Sequence, residues 1–207
     1  MLNGMLGQME IDNETRKSRN ETLRALLEAL DLNAPGERMH AERVAVYSVA
    51  TGAELGLGEE ELLRLRYSAL LHDVGKTKLD GGLLSKVGKL TEAELDVLRR
   101  HAEYSVKLVE SYDFLVPTIP GIRSHHERWN GAGYPDGLVG EEIPIAAQII
   151  GMCEAFDVMM NGAAWKSPTT RDIALDEIEG SAGVEWNPEV VDAFLKVERI
   201  IQPIGSD

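Results

Sequence analysis

The sequence has little cysteine, few aromatic residues and no long apolar stretch. A single cysteine, Cys153, among 207 residues excludes a disulfide within the chain and is typical of a reducing compartment. Aromatic residues make up 5% against 43% hydrophobic residues, so the core must be mainly aliphatic, which favours packed helices over a β-sandwich. The sequence has no apolar run long enough to span a membrane and no basic-then-apolar leader. The cytoplasm is therefore the expected location.

Positive charge is also scarce. The chain has 21 Lys and Arg residues against 35 Asp and Glu, a formal net charge of −14. Such a surface argues against binding DNA or RNA polymers or anionic membranes. An anionic phosphate substrate would have to be held locally, by metal ions and a few basic side chains.

The apolar periodicity predicts an all-α fold. We expect helices over about 15–31, 37–55, 59–71, from 91 past residue 101, through Pro117 to 125, and over 144–160, 169–178 and 187–199. Residues 1–14 lack periodicity and are expected to be frayed or a linker, and residues 76–89 to form a loop. The length fits one domain, so we expect an N-terminal extension with helical character over 1–20, a main domain over 21–200 and a tail over 201–207.

The five histidines fall into one ordered pattern. An adjacent pair, His72 and Asp73, suits a metal cluster, because a carboxylate can bridge two cations while the imidazole binds one of them. Each histidine alone has a simpler explanation: a helix cap or surface pair at His72, a buried ring bonded to backbone at His40, or an exposed helix end at His125 and His126. All five in order, followed by an acidic residue at Glu154, indicate a metal site.

Together with the glycine-rich loop after the double histidine, this pattern resembles the HD-GYP family of metal-dependent phosphohydrolases. The similarity extends over about residues 22–195. It rests on His72-Asp73-Val74-Gly75-Lys76, His101, His125-His126 and Gly133-Tyr134-Pro135, with further matches at 40–45, 88–91, 137–138 and 156–157. The resemblance implies a single HD-type helical domain that hydrolyses cyclic di-GMP to linear pGpG, and in some members further to GMP.

The resemblance also implies two divalent metal ions, Fe or Mn, and a bridging hydroxide that attacks phosphorus. One ion would be held by His40, His72, Asp73 and Glu154, and the other by Asp73, His101, His125 and His126. The implied catalytic residues are Asp73 and Lys76. The implied substrate contacts are Lys76, Tyr134, Asp157 and Lys166.

This sequence departs from the family pattern at several positions. Glu154 replaces the usual aspartate, and Gly36 replaces a glutamate that brings a third metal into some members, with Glu37 out of register. Ala163 replaces a phosphate-binding arginine of the distal loop, where Lys166 is the remaining cation. Asn130, Ala132 and Gln148 also differ from the usual residues.

These departures leave three functions open. The first is an active cyclic-di-GMP phosphodiesterase. The second is a weakly active or inactive domain that senses the dinucleotide or binds a signalling protein through the Gly-Tyr-Pro loop. The third is a phosphohydrolase of another nucleotide or a linear dinucleotide. The sequence also leaves homodimer formation open.

Overall fold

The computed structural model describes residues 2–164 and 166–200, with side chains from residue 14 onward. The predicted tail, 201–207, lies outside the described residues. The α-helices are α1 Leu2–Asn33, α2 Glu37–Glu54, α3 Glu59–Leu71, α4 Gly81–Leu84, α5 Glu92–Arg99, α6 His101–Val109, α7 Ile119–Arg123, α8 Ile145–Asn161, α9 Arg171–Gly180 and α10 Pro188–Glu198. Short 3-10 helices cover Val74–Lys78, Asp113–Thr118 and Gly140–Glu142.

Several helix ends lie where their capping residues predict them. Thr91 Oγ1 accepts a hydrogen bond from Glu94 N at 3.3 Å, and Glu94 Oε2 accepts one from Thr91 N at 2.8 Å, which completes the capping box of α5. Asn187 Oδ1 accepts a hydrogen bond from Glu189 N at 2.9 Å, ahead of the first-turn proline of α10. These caps use local side chains, so the sequence alone is enough to find them.

Residues 2–14 belong to α1, since no proline interrupts this stretch and an established helix extends easily. This agrees with the predicted helical extension and not with a frayed or linker segment. Three other predictions about local structure were wrong. Segment 76–89 is not a plain loop, because it contains part of a 3-10 helix and α4, which Asp80 caps. His101 does not lie inside a helix that starts at residue 92: α5 ends at Arg99 and His101 begins α6. The approach to His125 is a 3-10 helix, with Pro117 inside it, followed by the short α7.

The core forms where α2, α8 and α10 pack together. Its few aromatic rings meet there: the ring centroids of Tyr47 and Phe156 lie 5.4 Å apart, and those of Phe156 and Phe194 lie 4.9 Å apart. Aliphatic side chains supply most of the remaining core, as the composition predicts. The largest fully buried aliphatic residues include Leu30, Leu65, Leu71, Leu115, Ile122, Ile149, Ile150, Met152 and Ile178. The fold class is confirmed as all-α.

β-structure is limited to isolated bridges in the described residues, at Asn130–Val139, Ala163–Lys166 and Ala182–Trp186. Among the described helices none is both long and apolar enough to cross a membrane. One end of the bundle brings together α2, the turn after α3, the start of α6, the end of α7 and the middle of α8. All five histidines lie there.

Candidate metal centre

The His-Asp pair lies in the turn between α3 and the following 3-10 helix. Both side chains are fully buried. His72 Nδ1 lies 2.7 Å from the carbonyl oxygen of Ala69, one helical turn earlier. A carbonyl only accepts, so Nδ1 carries the hydrogen and Nε2 of the neutral ring presents its lone pair to the site.

Two further histidines are oriented in the same way. His101 Nδ1 lies 2.7 Å from Leu98 O, and His125 Nδ1 lies 2.7 Å from Ile122 O. In each case the acceptor is the carbonyl three residues earlier. Three rings are thereby fixed with Nε2 directed towards the same space.

The Nε2 atoms of His101 and His125 meet in this space and cannot satisfy each other. His101 Nε2 lies 3.3 Å from His125 Nε2 and 3.1 Å from His126 Nε2. With Nδ1 donating to a carbonyl in both His101 and His125, their Nε2 atoms are both acceptors in the neutral rings. Two facing lone pairs at this distance repel each other unless a cation or a proton lies between them.

Asp73 supplies the negative charge beside these rings. Its Oδ1 lies 3.1 Å from His101 Nε2, and its Oδ2 lies 3.2 Å from His72 Nε2 and 2.7 Å from Lys76 Nζ. None of these contacts has hydrogen-bond geometry. Within the described residues, both carboxylate oxygens and His72 Nε2 are buried without a hydrogen-bond partner. Buried polar atoms of this kind are costly unless a ligand satisfies them, so the donor set fits bound cations.

The seven predicted ligands form two overlapping groups. In each group one donor atom per residue lies within 4.8 Å of the others. Site 1 consists of His40, His72, Asp73 and Glu154, and site 2 consists of Asp73, His101, His125 and His126. Asp73 is common to both. The structure therefore brings together all seven residues, in the grouping that the resemblance implies.

The pKa values show how the cluster balances its charge. Burial, and then the neighbouring histidines, hold the pKa of His125 and of His126 well below the ordinary value, which favours the neutral form that binds metals. Burial also lowers the pKa of His72, but the Asp73 carboxylate outweighs it and raises that pKa to about 9. Burial and the negative charge of Asp73 raise the pKa of Glu154. Glu154 therefore needs a positive charge nearby to stay ionised beside Asp73.

His40 is oriented by a carboxylate and not by a backbone carbonyl. Its Nδ1 lies 2.7 Å from Asp157 Oδ2. The Asp157 side chain is 2% exposed and also accepts hydrogen bonds from Arg43 and Asn161. Asp157, predicted as a substrate contact, is therefore enclosed by protein groups among the described residues.

Lys76 lies at the edge of site 1. Its Nζ forms ion pairs with Asp73 Oδ2 at 2.7 Å and with Glu37 Oε2 at 2.9 Å, and its side chain is 16% exposed. Burial lowers the pKa of Lys76, but these carboxylates outweigh it and raise the pKa above its ordinary value. The out-of-register Glu37 thus pairs with Lys76.

The Gly-Tyr-Pro loop covers site 2. The Tyr134 ring stacks on His126, with centroids 4.7 Å apart and planes inclined by 26°. The Arg99 guanidinium carbon lies 5.7 Å from the centre of the same tyrosine ring. Tyr134 therefore forms part of the wall of the centre, next to an exposed cation.

Lys166 lies in the connection between α8 and α9. Its backbone pairs with Ala163, and its Nζ lies 3.8 Å from Glu177 Oε1. Neither Lys166 nor Ala163 contacts the seven candidate ligands through a described hydrogen bond or ion pair. Substrate contact by Lys166 stays a prediction.

Comparison with known proteins identifies the family. A family model described as "HD domain" matches residues 24–190. The chain belongs to the HD domain family. Among its relatives, the cyclic di-GMP phosphodiesterase response regulator RpfG of Xanthomonas campestris pv. campestris is 36% identical over 187 residues, covering 89% of this chain and 49% of the relative. The cyclic di-GMP phosphodiesterase of Thermotoga maritima is 33% identical over 186 residues, covering 89% and 50%. These relatives agree with the HD-GYP resemblance.

A solved structure supports the HD fold. The crystal structure of V-cGAP3, a cyclic GMP-AMP-specific phosphodiesterase of V. cholerae, matches with a TM-score of 0.65 at 23% identity, covering 86% of this chain and 48% of that one. The chain spans about half the length of the curated relatives that it matches.

Two residues that support this HD domain's metal centre, Ser105 and Gly151, are missing from the sequence-based prediction, whereas Gly75 belongs to the predicted motif. Ser105 Oγ donates to His72 O at 2.7 Å and accepts from Gly75 N at 2.8 Å, which ties the His-Asp turn to α6. A Cβ at Gly75 would lie 2.1 Å from His101 O, so only glycine permits this approach. A Cβ at Gly151 would likewise lie 2.2 Å from His125 O. These are long-range contacts without a local signature.

A third missed residue, Glu127, organises the Gly-Tyr-Pro loop. Its carboxylate is buried and accepts backbone hydrogen bonds from Asp136 at 2.7 Å, and from Gly137 and Leu138 at 3.1 Å each. Asp136 in turn accepts two hydrogen bonds from Arg123. The sequence gives only a weak signal for this role. Glu127 directly follows the double histidine, and the glycine-rich loop after it has backbone N–H groups that need hydrogen-bond acceptors.

Proposed function

We propose that this HD domain is a metal-dependent phosphodiesterase that hydrolyses cyclic di-GMP to pGpG. The observation that carries the proposal is the buried cluster around Asp73, where facing imidazole nitrogens and unsatisfied carboxylate oxygens form two four-donor groups. The relatives named for this activity agree with it. The mixed nitrogen and oxygen donors suit Fe or Mn.

The seven ligand roles and the shared role of Asp73 are part of this proposal. Two divalent ions, when bound, would supply an activated water and stabilise negative charge on the phosphoryl group. The protein's contribution is the buried and pre-oriented donor set. Rings fixed by backbone carbonyls need no rearrangement to receive the ions.

Lys76 and Tyr134 are the substrate contacts that we propose. Lys76 Nζ lies beside the common ligand Asp73 and is still partly exposed, so it can reach a phosphate oxygen next to the metals. Tyr134 stacks on His126 in the wall of the centre, which places it beside a ligand bound at site 2. We propose no substrate contact for Asp157.

The test is anaerobic purification, metal analysis and a turnover assay with product separation. We expect cyclic di-GMP to give pGpG in protein loaded with Fe or Mn, and no turnover in chelator-treated protein until metal is restored. Cyclic GMP-AMP and linear pGpG complete the substrate panel. Tight binding of cyclic di-GMP without hydrolysis would instead support a sensor, and hydrolysis of another panel member alone would reassign the substrate.

The remaining predictions concern the cellular context. A cytoplasmic location, a signalling partner that binds the Gly-Tyr-Pro loop, and a homodimer stay predictions. Light scattering of the purified chain tests the last of these directly.

A further inference from the structure

His40 differs from three other histidines in the group that its Nδ1 atom contacts. The Nδ1 atoms of His72, His101 and His125 each contact a neutral backbone carbonyl three residues earlier. The partner of His40 is the carboxylate of Asp157, 117 positions away in the sequence and on another helix. This contact therefore links α2, which carries His40, to α8.

The Asp157 carboxylate is itself held on several sides. Arg43 Nε donates to Oδ1 at 2.6 Å and Arg43 Nη2 donates to Oδ2 at 2.8 Å, which is the paired geometry that an arginine fork favours. Asn161 Nδ2 donates to Oδ1 at 2.9 Å. Burial alone would raise the pKa of Asp157, but the hydrogen bonds from His40 and Arg43 outweigh it and lower the pKa.

We propose that Asp157 is a positioning residue that fixes His40 for metal binding, with Arg43 and Asn161 holding Asp157 in place. The inference rests on the metal-ligand role of His40 proposed above. A carboxylate acceptor keeps the hydrogen on Nδ1 and leaves the Nε2 lone pair free for the cation of site 1. It also makes the imidazole a more basic metal ligand. This role differs from substrate contact, which was the sequence-based expectation for Asp157.

Arg43 also keeps the aspartate out of site 1. Asp157 lies one helical turn after Glu154 on α8 and could compete for the same cation, yet the two four-donor groups do not contain it. Its two oxygens are already engaged by a guanidinium, an amide and an imidazole. Glu154 is thus the carboxylate available to bind a metal, and Asp157 is the carboxylate that orients the metal ligand His40.

The chain provides a matched control for the experiment. Glu198 is a second buried carboxylate held by an arginine fork, since Arg171 donates to both of its oxygens, and it contacts no histidine through a described hydrogen bond. Asp157→Asn and Glu198→Gln therefore each neutralise a buried carboxylate paired with arginine. Only the first acts on His40.

The measurement is Mn²⁺ binding to chelator-treated protein, with the stoichiometry and both dissociation constants, beside the melting temperature. We expect Asp157→Asn to bind one of two ions about 10- to 100-fold more weakly, as for other residues that orient a metal ligand, and Asp157→Ala to weaken it further. Glu198→Gln should lower the melting temperature and keep both affinities. If Asp157→Asn does not fold, Asn161→Ala should show a smaller fall for the same ion.

Two results would overturn the inference. One is wild-type affinity for both ions in a folded Asp157→Asn variant. The other is an equal loss of metal in Asp157→Asn and Glu198→Gln, which would mean that any destabilisation weakens binding. Failure of the proposed function is distinguishable, because it would appear as wild-type protein that binds two ions and hydrolyses none of the substrates. Wild-type protein that binds no ion would overturn both.

Discussion

Replacing Ser105 by alanine tests how the fold supports the metal centre. The Ser105 hydroxyl is fully buried and bonds both His72 O and Gly75 N, the backbone on either side of Asp73. Alanine would leave two buried backbone groups without this partner, at about 1–3 kcal/mol each. We therefore expect the free energy of unfolding to fall by about 2–6 kcal/mol, and the melting temperature by at least about 4 °C.

Ser48 provides the comparison for this prediction. Its hydroxyl is equally buried but has no hydrogen-bond partner among the described residues. Ser48→Ala should therefore change stability by less than about 0.5 kcal/mol, or increase it. Both variants should be unfolded by urea and by heat in the presence of a chelator, which removes any contribution from bound metal. Equal effects of the two substitutions would refute the role given to Ser105.

Three further predictions concern charged positions around the metal centre. Glu154→Gln should lose about one metal per chain, whereas Glu154→Asp, the usual family residue, should keep both; full metal content with normal turnover in the Gln variant would contradict ligation. Glu37→Gln removes the ion pair that holds Lys76, which frees the ammonium to bind the substrate phosphate. A partly exposed ion pair contributes about 1 kcal/mol, so the KM should fall by up to about fivefold. A changed metal content would show instead that Glu37 is a metal ligand. Ala163→Arg should tighten cyclic di-GMP binding about ten- to a hundredfold, the worth of a charge-assisted hydrogen bond; unchanged binding would show that this loop does not reach the ligand.

The sequence predicts most of this fold because its signals are local. The apolar periodicity and caps place α2, α3, α8 and α10 to within about two residues at each end. The order of the five histidines and Asp73 predicts the residues that the structure brings together. The periodicity and the caps depend on neighbours in the chain, whereas the grouping of the histidines follows from the resemblance to the HD-GYP motifs.

What the sequence does not predict depends on contacts between distant segments. The sequence does not show that Asp157 bonds to His40 and Arg43, which lie more than 110 positions earlier. Ser105 has no motif of its own, since its role comes from the approach of α6 to the His-Asp turn. The break between α5 and α6 lies beside His101, whose Nε2 atom is 3.1 Å from Asp73 Oδ1, and this contact between distant segments has no local signature.

We propose that one buried aspartate, Asp73, joins two metal sites. The most direct measurement is the metal content per chain of wild-type protein and of Asp73→Ala, both purified without oxygen and analysed by mass spectrometry of the metals. The structure predicts two ions in the wild type and loss of both in the variant, because Asp73 belongs to both four-donor groups. Full metal content in a folded Asp73→Ala variant, or three firmly bound ions in the wild type, would contradict this account.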